Sequence, residues 1–570
     1  MSEWSLLLPF FIFLSGVGLI WLLPKRLSWV ISVLTPLISG WVAWQVLQPG
    51  VQLNVAFMDY LLNPVHVDPL GLMMVGLFHI AAFIGALFIS PIQDRLQHGA
   101  LLAYLAGGIG VVMAGDWLSF FVFFEIIALS GAALVLARRD EVATQAGIRY
   151  FVFQVAAGVT VLAGILLHAN QTGDWSVGPV ALTGWAGWLL LLGFGIKTGF
   201  PLVHIWLVDA YPKASIAGLA VLVAVTTKVG VLALMRTFPG EGALIPIGVV
   251  MALWPIAYVL TENNLRRVLA YSMMVQLGLM VVAVGVGTPT ALDGVALHIV
   301  MDVFFKMTLF MAMALIFVHF NTTNADRLGG LAKHWPVIGV CVVVAVLANI
   351  ALPLTGAFIS KKLMLSAIET SELPHILYWV LVSLSVVGLL YGWVRIAWRV
   401  FLSGDQSGMG STRIPNAPGV QQLALMIPVA LLLITGIWPG LLDDLRPYGS
   451  ATEVFTSKKI LAQLVMLGSA GLVYWVLSRF GLGLPRMYEP KLYDVEVIYR
   501  FLLVTLPAQI RHAWSAGVNV VRAPIVRGAQ WIGHPKWPLQ HLGQSWPIGA
   551  MALWAALIFA VLLVLGILNR

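Results

Sequence analysis

Charged side chains inside long apolar segments are the residues of this chain that are best suited to chemistry. Lys197 lies in the middle of residues 185–206, which are otherwise almost wholly apolar. A cation at the centre of a membrane costs roughly 2.5–3.5 kcal/mol on insertion scales, so it persists only where it is paired, hydrated or used. Glu125 lies in a similar segment, and more charges of this kind follow: Lys228, Asp302, Lys306 and Lys361. A series of charges along successive segments indicates a path for an ion.

Glu125 and Lys197 are candidates for a coupled pair. A carboxylate next to a buried lysine favours the protonated amine, and its withdrawal favours release of the proton. Gly199 and Pro201 interrupt the helix just after Lys197, which frees backbone groups that water or side chains must satisfy. We therefore expect Lys197 to exchange protons. A static salt bridge that holds two helices together is the alternative.

A second group of titratable residues lies in a later apolar segment. His298, Asp302 and Lys306 stand at i, i+4 and i+8, a spacing that drifts only slowly around a helix. Three such groups on one face predict a proton wire, with an internal ion-pair ladder as the alternative. His204, which follows Lys197 in the chain, is either a relay in the same path or a hydrogen-bonded helix residue.

Helix breaks next to a lysine occur twice. The broken segments are residues 180–208, with Lys197, and residues 335–368, in which Pro353 and Gly356 precede Lys361. They lie five segments apart. Because five is odd, the second copy has the opposite direction in the membrane, as expected for inverted repeats with two half-channels.

The composition places the chain among helical membrane proteins. Of its 570 residues 60% are hydrophobic and 10% are charged, and the mean hydropathy is +0.94. Continuous apolar runs exclude an outer-membrane barrel. The basic pI reflects membrane topology rather than nucleic-acid binding. The single cysteine, Cys341, excludes an intrachain disulfide, and the chain has no nucleotide, zinc or nucleophile motif. We expect a transporter without a cofactor rather than an enzyme.

We predict an all-α polytopic membrane protein with about 14–16 transmembrane helices, counted with a window of about 20 residues. It comprises N-terminal spans (1–98), a proton-translocating core (99–402), C-terminal spans (403–484), an amphipathic lateral segment (485–546) and a terminal span (547–570). The inverted repeats occupy about 99–236 and 242–402. A basic linker is the alternative for 485–546.

The distribution of Lys and Arg predicts the orientation. With an external N-terminus, the cytoplasmic connections hold nearly all the basic residues, whereas connections 49–68, 169–179, 289–292 and 369–374 hold none. The cytoplasmic set is Lys25, Arg26, Arg95, Arg138, Arg139, Arg266, Arg267, Arg327, Lys333, Arg395, Arg399 and Arg413. We therefore predict a multi-pass protein of a bacterial-type inner membrane with its N-terminus outside.

One stretch of the chain has a recognisable pattern. It reads Lys197-x3-Pro201-x2-His204-x-Trp206-x2-Asp209-Ala210-x2-Lys213-Ala214 and continues to Thr227-Lys228-Val229-Gly230 and Arg236. Asn264-Leu-Arg266-Arg267-x-Leu269-Ala270-Tyr271-Ser272, His298-x7-Lys306 and Gly356-x-Phe358-x2-Lys361 also fit. With these motifs the chain resembles the antiporter-like subunits of respiratory complex I, membrane-bound hydrogenases and Mrp multisubunit Na⁺/H⁺ antiporters, over roughly residues 60–400.

The resemblance implies a role for each residue of the path. Glu125 and Lys197 would be the coupling pair, Lys228 the connecting lysine, His298 the central relay and Lys361 the exit-side residue. Asp302 is a departure, because the family often has a second histidine there. A carboxylate at this position could favour Na⁺ or pair with Lys306.

The parent system is left open by the sequence. An Mrp-type subunit similar to the D subunit is favoured, acting on H⁺ and Na⁺ with other membrane subunits of a hetero-oligomeric complex. A proton-pumping subunit of complex I or a hydrogenase, the membrane partner of an inorganic-carbon uptake complex, and a non-transporting scaffold are the alternatives.

Overall fold

Long apolar helices dominate the computed structural model, which describes residues 3–57, 60–403 and 416–480. Within these ranges, thirteen helices are long and apolar enough to cross a membrane. The predicted all-α membrane fold is confirmed. The α-helices of the described residues are α1 (Leu8–Leu22), α2 (Ser28–Val46), α3 (Pro69–Ile89), α4 (Arg95–Met113), α5 (Trp117–Leu136), α6 (Glu141–Thr172), α7 (Trp185–Thr198), α8 (Ile205–Ala210), α9 (Ile216–Thr237), α10 (Leu244–Leu253), α11 (Ile256–Thr261), α12 (Leu265–Val286), α13 (Pro289–Phe320), α14 (Pro336–Asn349), α15 (Gly356–Glu369), α16 (His375–Gly388), α17 (Gly419–Ile437), α18 (Gly440–Asp443) and α19 (Ser457–Arg479).

A π-helix and several 3₁₀ turns complete the helical elements of the described residues. Helix α16 continues as a π-helix over Leu389–Leu402, so that the two together form one span. The 3₁₀ turns are Glu3–Leu7, Lys25–Leu27, Tyr211–Lys213, Ala325–Arg327 and Leu331–Lys333.

Capping side chains begin many of the spans. Asp116 and Asp140, for example, accept backbone N–H bonds from Ser119 and Ala143 at the starts of α5 and α6. Such caps satisfy amides that have no partner inside the helix, which matters most where water is scarce. The same arrangement is found at Asp68, Asp94, Ser215, Asn264, Thr288 and Thr456.

A β-hairpin is present where the sequence predicts only a connection. Strands β1 (Gln52–Phe57) and β2 (Tyr60–His66) pair antiparallel in the segment before α3. The Asn63 N–H donates to Asp116 Oδ2 at 2.9 Å and thereby ties the hairpin to the start of α5. The strands are hard to predict because they are short and their pairing is irregular between Leu53 and Val55.

The two predicted helix breaks are confirmed, and both have the same backbone geometry. In the first, the Val203 N–H donates to the Phe200 carbonyl at 3.1 Å, and Leu202 has a φ of +73°. In the second, the Thr355 N–H donates to the Leu352 carbonyl at 3.3 Å, and Leu354 has a φ of +75°. Proline followed by a residue with positive φ is the pattern of a type II turn.

The break joins α7 to α8 in one case and α14 to α15 in the other. Together with the thirteen unbroken helices, these two broken helices give fifteen candidate spans in the described residues, against the 14–16 predicted for the whole chain. The amphipathic segment (485–546) and the terminal span (547–570) lie outside the described residues.

Three helices form the buried centre. In the most apolar stretch of each, 94% of the residues of α9, all residues of α12 and 94% of those of α13 are buried, against 11% in α19. A helix that is apolar on all sides is stable only in a core or in lipid. Charges on α9 and α13 are therefore held away from both water and lipid.

Contacts between connections show that the basic loops meet at one end of the bundle. Arg139 pairs with Asp94 at 3.0 Å, and Arg95 donates to the Leu23 carbonyl at 2.6 Å. At the same end, the guanidinium groups of Arg138 and Arg266 lie over the ring of Phe317. The grouping of these basic connections agrees with the predicted topology, whereas the external N-terminus stays a prediction.

Arg395 corrects one assumption behind that topology. The charge pattern predicts it in a loop, but it lies on the π-helix and is 1% exposed. Its guanidinium donates to the carbonyls of Val259, Leu260 and Glu262 at the end of α11. A buried cation at a helix C-terminus satisfies carbonyls that have no partner in the helix. Arg395 therefore has a structural role and is not evidence for loop charge.

Candidate proton path

Glu125 and Lys197 lie next to each other, but the lysine contacts a different group from the one predicted. Lys197 Nζ, on the last turn of α7, donates to the Phe124 carbonyl at 3.2 Å and lies 3.7 Å from the centre of the Phe124 ring. Glu125 Oε1 is buried and has no hydrogen-bond partner in the described part of the chain. A carbonyl and an aromatic face both stabilise a cation without neutralising it. The amine can thus stay charged beside the carboxylate without forming a closed salt bridge.

The position of Glu125 depends on a residue that the sequence does not single out. Gly158 on α6 faces the carboxylate so closely that a Cβ at this position would overlap Glu125 Oε1. Glycine is therefore required for the carboxylate to lie between α5 and α6. No charge or motif marks Gly158, so only the packing of the two helices could reveal it.

Lys228 and Asp302 form an ion pair across the buried centre. Lys228 Nζ, on α9, contacts Asp302 Oδ2, on α13, and both side chains are 0% exposed. The other oxygen, Asp302 Oδ1, has no hydrogen-bond partner among the described residues. The sequence suggests Lys306 as the partner of Asp302. The structure instead pairs Asp302 with the neighbouring helix, because the α9 lysine reaches the same level of the core.

Lys306 has a hydroxyl as its hydrogen-bond partner. Its Nζ donates to Ser272 Oγ on α12, and the Ser272 hydroxyl donates in turn to the Leu269 carbonyl at 2.7 Å. Lys306 also lies 5.5 Å from the ring centre of Phe305. His298, Asp302 and Lys306 thus share helix α13 as predicted, but their direct partners are on other helices.

His298 connects α13 to the second broken helix. Its Nδ1 lies 3.0 Å from Ser360 Oγ on α15, and its Nε2 lies 3.2 Å from Gln276 Oε1 on α12. The imidazole can donate from one nitrogen and accept at the other, which is the property a proton relay needs. Gln276 continues the network to Asn349 Oδ1 at 3.3 Å.

Lys361 lies one residue beyond the serine that contacts His298. Its Nζ donates to Ser385 Oγ on α16 at 2.8 Å, and the side chain is buried. The break before α15 places this lysine inside the bundle. Among the described residues, the path therefore runs from Lys228 and Asp302 on α9 and α13 to Ser385 on α16. It has two steps without a direct side-chain contact, from Asp302 to His298 over one helical turn and from Ser360 to the adjacent Lys361.

His204 is buried at the start of α8, after the turn that follows Lys197. Its role as a relay stays a prediction. Downstream, Asp209 is held by Arg149 Nε at 2.7 Å and by Lys213 Nζ. The second half of the motif thus contains an ion-pair cluster at the end of the bundle.

A group of hydroxyls converges on α9 just before Lys228. Tyr104 donates to the Leu222 carbonyl at 3.0 Å and accepts from the Thr226 N–H at 2.8 Å, so its hydroxyl inserts into the backbone ladder of α9. Tyr150 lies 3.1 Å from Thr226 Oγ1, and Tyr211 donates to the Leu222 carbonyl at 2.9 Å. Neutral polar residues in apolar helices are the sequence signal for this cluster, and a search for charge alone does not find it.

The described residues contain no group of three His, Cys, Asp or Glu side chains that could hold a metal ion. Asp302 lies instead with two lysines, Lys228 as its partner and Lys306 one turn away. Sodium binding near Asp302 stays a prediction.

Known proteins are similar to this chain in sequence and in fold. Residues 114–388 match the family described as NADH:quinone oxidoreductase/Mrp antiporter, TM. The chain is 26% identical over 488 residues to Hydrogenase-4 component B of Escherichia coli (strain K12), covering 76% of this chain and 72% of that protein. It is 25% identical over 359 residues to the D subunit of the Na⁺/H⁺ antiporter of Bacillus subtilis (strain 168), covering 59% and 71%.

The fold is also found in a respiratory complex. A chain of respiratory complex I from Thermus thermophilus matches with a TM-score of 0.68 and 20% identity, covering 79% of this chain and 98% of that one. At this identity the match concerns the fold. The predicted resemblance to the membrane subunits of complex I, hydrogenases and Mrp antiporters is confirmed.

Proposed function

We propose that this chain, whose residues 114–388 match the complex I/Mrp family, is the proton-translocating subunit of a multisubunit monovalent cation (Na⁺)/proton antiporter. The observation that carries the proposal is the Lys228–Asp302 ion pair, with both side chains 0% exposed on two of the most buried helices. Such a pair is costly to bury and adds little stability compared with an apolar pair. Its presence at the centre supports a role in transport.

The path begins at Glu125 and Lys197. A proton that reaches Glu125 neutralises the carboxylate, and Lys197, held by the Phe124 carbonyl, then loses the nearby charge that favours its protonated form. Lys197 releases its proton towards the buried centre. Recharging of Glu125 restores the protonated amine.

The centre then transfers the proton to the second half. Lys228 passes a proton to Asp302, which frees the pair, and His298 one turn away takes it up at Nδ1, which faces Ser360, while Nε2–H stays bound to Gln276 Oε1. Lys361, adjacent to Ser360, receives the proton and delivers it to the side of Ser385. Each transfer moves a proton between neighbouring groups, so no charge has to cross lipid alone.

The charges at Asp302 bear on which ion uses this path. A sodium ion there would have to displace Lys228 from Oδ2 while Lys306 remains nearby. Two cations around one carboxylate disfavour a third. We therefore propose that H⁺ passes through these residues, and that Na⁺ exchange involves Asp302 only when Lys228 has moved away.

Two further systems use subunits of the same kind. A proton-pumping subunit of a complex I-like oxidoreductase or a membrane hydrogenase is favoured by the 26% identity to Hydrogenase-4 component B over 76% of the chain. The membrane partner of an inorganic-carbon uptake complex is the third candidate. In each case we propose that the chain works with other membrane subunits in a bacterial-type inner membrane with its N-terminus outside.

Purification of the native complex from its own membranes, followed by mass spectrometry of its partners, distinguishes these systems. Small hydrophobic subunits alone support the antiporter. Flavin- or iron–sulfur-bearing subunits would instead assign a redox-driven pump, and a large zinc-bearing soluble partner the carbon-uptake complex.

Transport by vesicles that contain the complex tests the path itself. Replacing Lys228 by Met is expected to abolish proton movement, because the apolar side chain cannot carry a proton. The complex should still assemble, with a lower melting temperature because Asp302 loses its counter-charge. Lys458→Met is the matched control, since Lys458 is exposed at the start of α19. Full transport by Lys228→Met would exclude the proposed path, whereas loss of assembly with retained transport in the remaining complex would indicate a scaffold.

A further inference from the structure

Gln154 on α6 is a buried polar residue that the path described so far does not use. Its side chain is 0% exposed, and neither its amide nitrogen nor its amide oxygen has a hydrogen-bond partner in the described part of the chain. An amide that is fully buried and unsatisfied on both atoms is rare, because each unpaired group loses its hydration without compensation. Gln154 therefore marks a place where a polar partner is expected.

Helix geometry places Gln154 between the Glu125 carboxylate and the hydroxyl cluster on α9. Tyr150, Gln154 and Gly158 stand at i, i+4 and i+8, so they follow one another along one face of α6 at about 6 Å per step. Gly158 faces the Glu125 carboxylate, and the Tyr150 hydroxyl lies 3.1 Å from Thr226 Oγ1. Gln154 therefore lies on the line from Glu125 to the hydroxyls on α9.

The packing of α5 against α6 supports this placement. A Cβ at Gly131 would meet the Tyr150 hydroxyl, and one at Gly158 would meet Glu125. The two helices are thus antiparallel in a fixed register, with Glu125 and Gly131 on α5 opposite Gly158 and Tyr150 on α6. Gln154 lies midway between these two contacts.

Other unsatisfied atoms lie at the ends of this line. Glu125 Oε1, at one end, has no hydrogen-bond partner among the described residues. At the other end, the same is true of Thr227 Oγ1, which follows Thr226 on α9. Asp302 Oδ1, on the side of α9 that Lys228 faces, also has no hydrogen-bond partner in the described part of the chain. Buried polar groups of this kind are normally satisfied by ordered water when the protein offers no partner.

We infer that Tyr150, Gln154 and Thr226 form a hydrated branch of the path, which connects Glu125 to Lys228 in parallel with Lys197. The inference rests on the proposed function. Gln154 acts as a positioning residue, since an amide holds water in place but does not itself exchange protons readily. The hydroxyls of Tyr150 and Thr226 each accept one proton and release another. A proton enters the branch from Glu125 and reaches Thr226. Because Thr226 and Lys228 face different sides of α9, water beside Thr227 Oγ1 carries the proton on to Lys228.

A test that does not depend on transport measures the access of water to Gln154. The chain has one cysteine, Cys341, so that Cys341→Ser gives a background without thiols. Gln154→Cys in the assembled complex is expected to react with a small, positively charged methanethiosulfonate reagent. Val161→Cys is the control, because Val161 is also on α6 and 0% exposed but packs against Gly193 of α7. Equal protection of both cysteines would overturn the hydrated branch.

Transport measurements then test its use. Gln154→Leu is expected to lower the rate of proton transport about tenfold, equivalent to ~1.4 kcal/mol of barrier, while assembly and thermal stability are equal or improved. Stability does not fall because no protein group loses a hydrogen-bond partner when the amide is removed. Tyr150→Phe, which keeps the ring packed against Trp206, should give a similar loss that adds little to Gln154→Leu.

The controls separate this inference from the proposed function. Gln145→Leu makes the same change on an exposed residue of α6 and should leave transport unchanged. If Lys228→Met abolishes transport while Gln154→Leu and Tyr150→Phe both retain the full rate, the branch is wrong and the main path stands. If Lys228→Met has no effect, the proposed function itself fails. A loss of stability in Gln154→Leu would assign the amide a structural role.

Discussion

At the first helix break Lys197 lies beside a carboxylate, whereas at the second break Lys361 lies beside a hydroxyl. The turns themselves are alike, with Pro201–Leu202 in one and Pro353–Leu354 in the other, and both place a lysine inside the bundle. The lysines differ in their partners. Lys197 has Glu125 next to it, and Lys361 donates to Ser385 and has no carboxylate within ion-pair distance in the described part of the chain.

This difference indicates different roles for the two halves. A carboxylate that can gain or lose a proton changes the charge around Lys197, so the first half can be switched. A hydroxyl has no charge to change, and it can only guide the proton of Lys361. The first half is therefore suited to coupling and the second to delivery. The Lys228–Asp302 pair joins the two halves.

Breaking the Lys228–Asp302 ion pair should have the largest effect on transport. Asp302→Asn leaves Lys228 buried without its counter-charge, and removal of one partner from a buried pair costs about 3–5 kcal/mol. We expect loss of transport together with a lower melting temperature of the complex. Lys228→Met combined with Asp302→Leu should restore the melting temperature, but not transport, as measured by thermal unfolding and by proton uptake in vesicles.

This double variant separates charge from packing. If transport returned together with stability, the pair would hold helices together without carrying protons, and the two halves would not be joined through it. Asp94→Asn, which removes the acidic partner of the exposed Arg139, provides the control for loss of an ordinary ion pair.

Substituting the partner of each lysine, Glu125 beside Lys197 and Ser385 beside Lys361, tests the difference between the two halves. Glu125→Gln keeps the size of the side chain but removes its charge, and we expect proton transport to fall by at least about 100-fold, as for loss of a group that transfers protons. Ser385→Ala should lower transport only a few-fold, because water can replace the hydroxyl as the partner of Lys361. Initial rates of proton uptake at equal amounts of assembled complex measure both.

The relative size of the transport losses in Glu125→Gln and Ser385→Ala tests the assigned roles. A larger loss in Ser385→Ala than in Glu125→Gln would reverse the roles of the halves. Ser383→Ala is the control for the serine, since Ser383 is exposed on the same helix and donates only to the Val380 carbonyl.

A smaller effect on transport is expected from Gly158, whose role is to leave space for the Glu125 carboxylate. Gly158→Ala places a methyl group where the Glu125 carboxylate lies, so the carboxylate must move away from its position beside Lys197. We expect transport to fall about tenfold, equivalent to ~1.4 kcal/mol, with normal assembly. Gly76→Ala on α3 is the matched control, because its added methyl group meets no atom within 4 Å. Unchanged transport in Gly158→Ala would show that the carboxylate position is not critical.

Much of the fold follows from the sequence, because apolar length and the cost of burying charge act locally. The runs of apolar residues predict the spans, and the glycines and prolines beside Lys197 and Lys361 predict both breaks. Buried lysines and carboxylates are also recognisable, since a charge in an apolar run is costly unless it is paired, hydrated or used.

The partners of these charges could not be predicted in the same way. Asp302 pairs with Lys228 on α9 rather than with a residue on its own helix, which depends on how α9 packs against α13. Gly158 and Gln154 are significant only because of what lies opposite them on α5. A side chain's neighbours across helices are set by rotation and register, and these are tertiary properties.

The smallest predicted effect concerns the turns on which the comparison depends. Leu202 and Leu354 both have positive φ and are both 60% exposed, so each is strained without burying much apolar surface. Left-handed backbone costs a residue with a Cβ about 1–2 kcal/mol, and glycine is free of this cost but loses more entropy on folding. Leu202→Gly and Leu354→Gly should therefore each stabilise the complex, by less than about 1 kcal/mol. Alanine, which keeps the Cβ, should not. Thermal unfolding of the four variants checks this order, and a gain at one break with a loss at the other would show that the two turns are not equivalent.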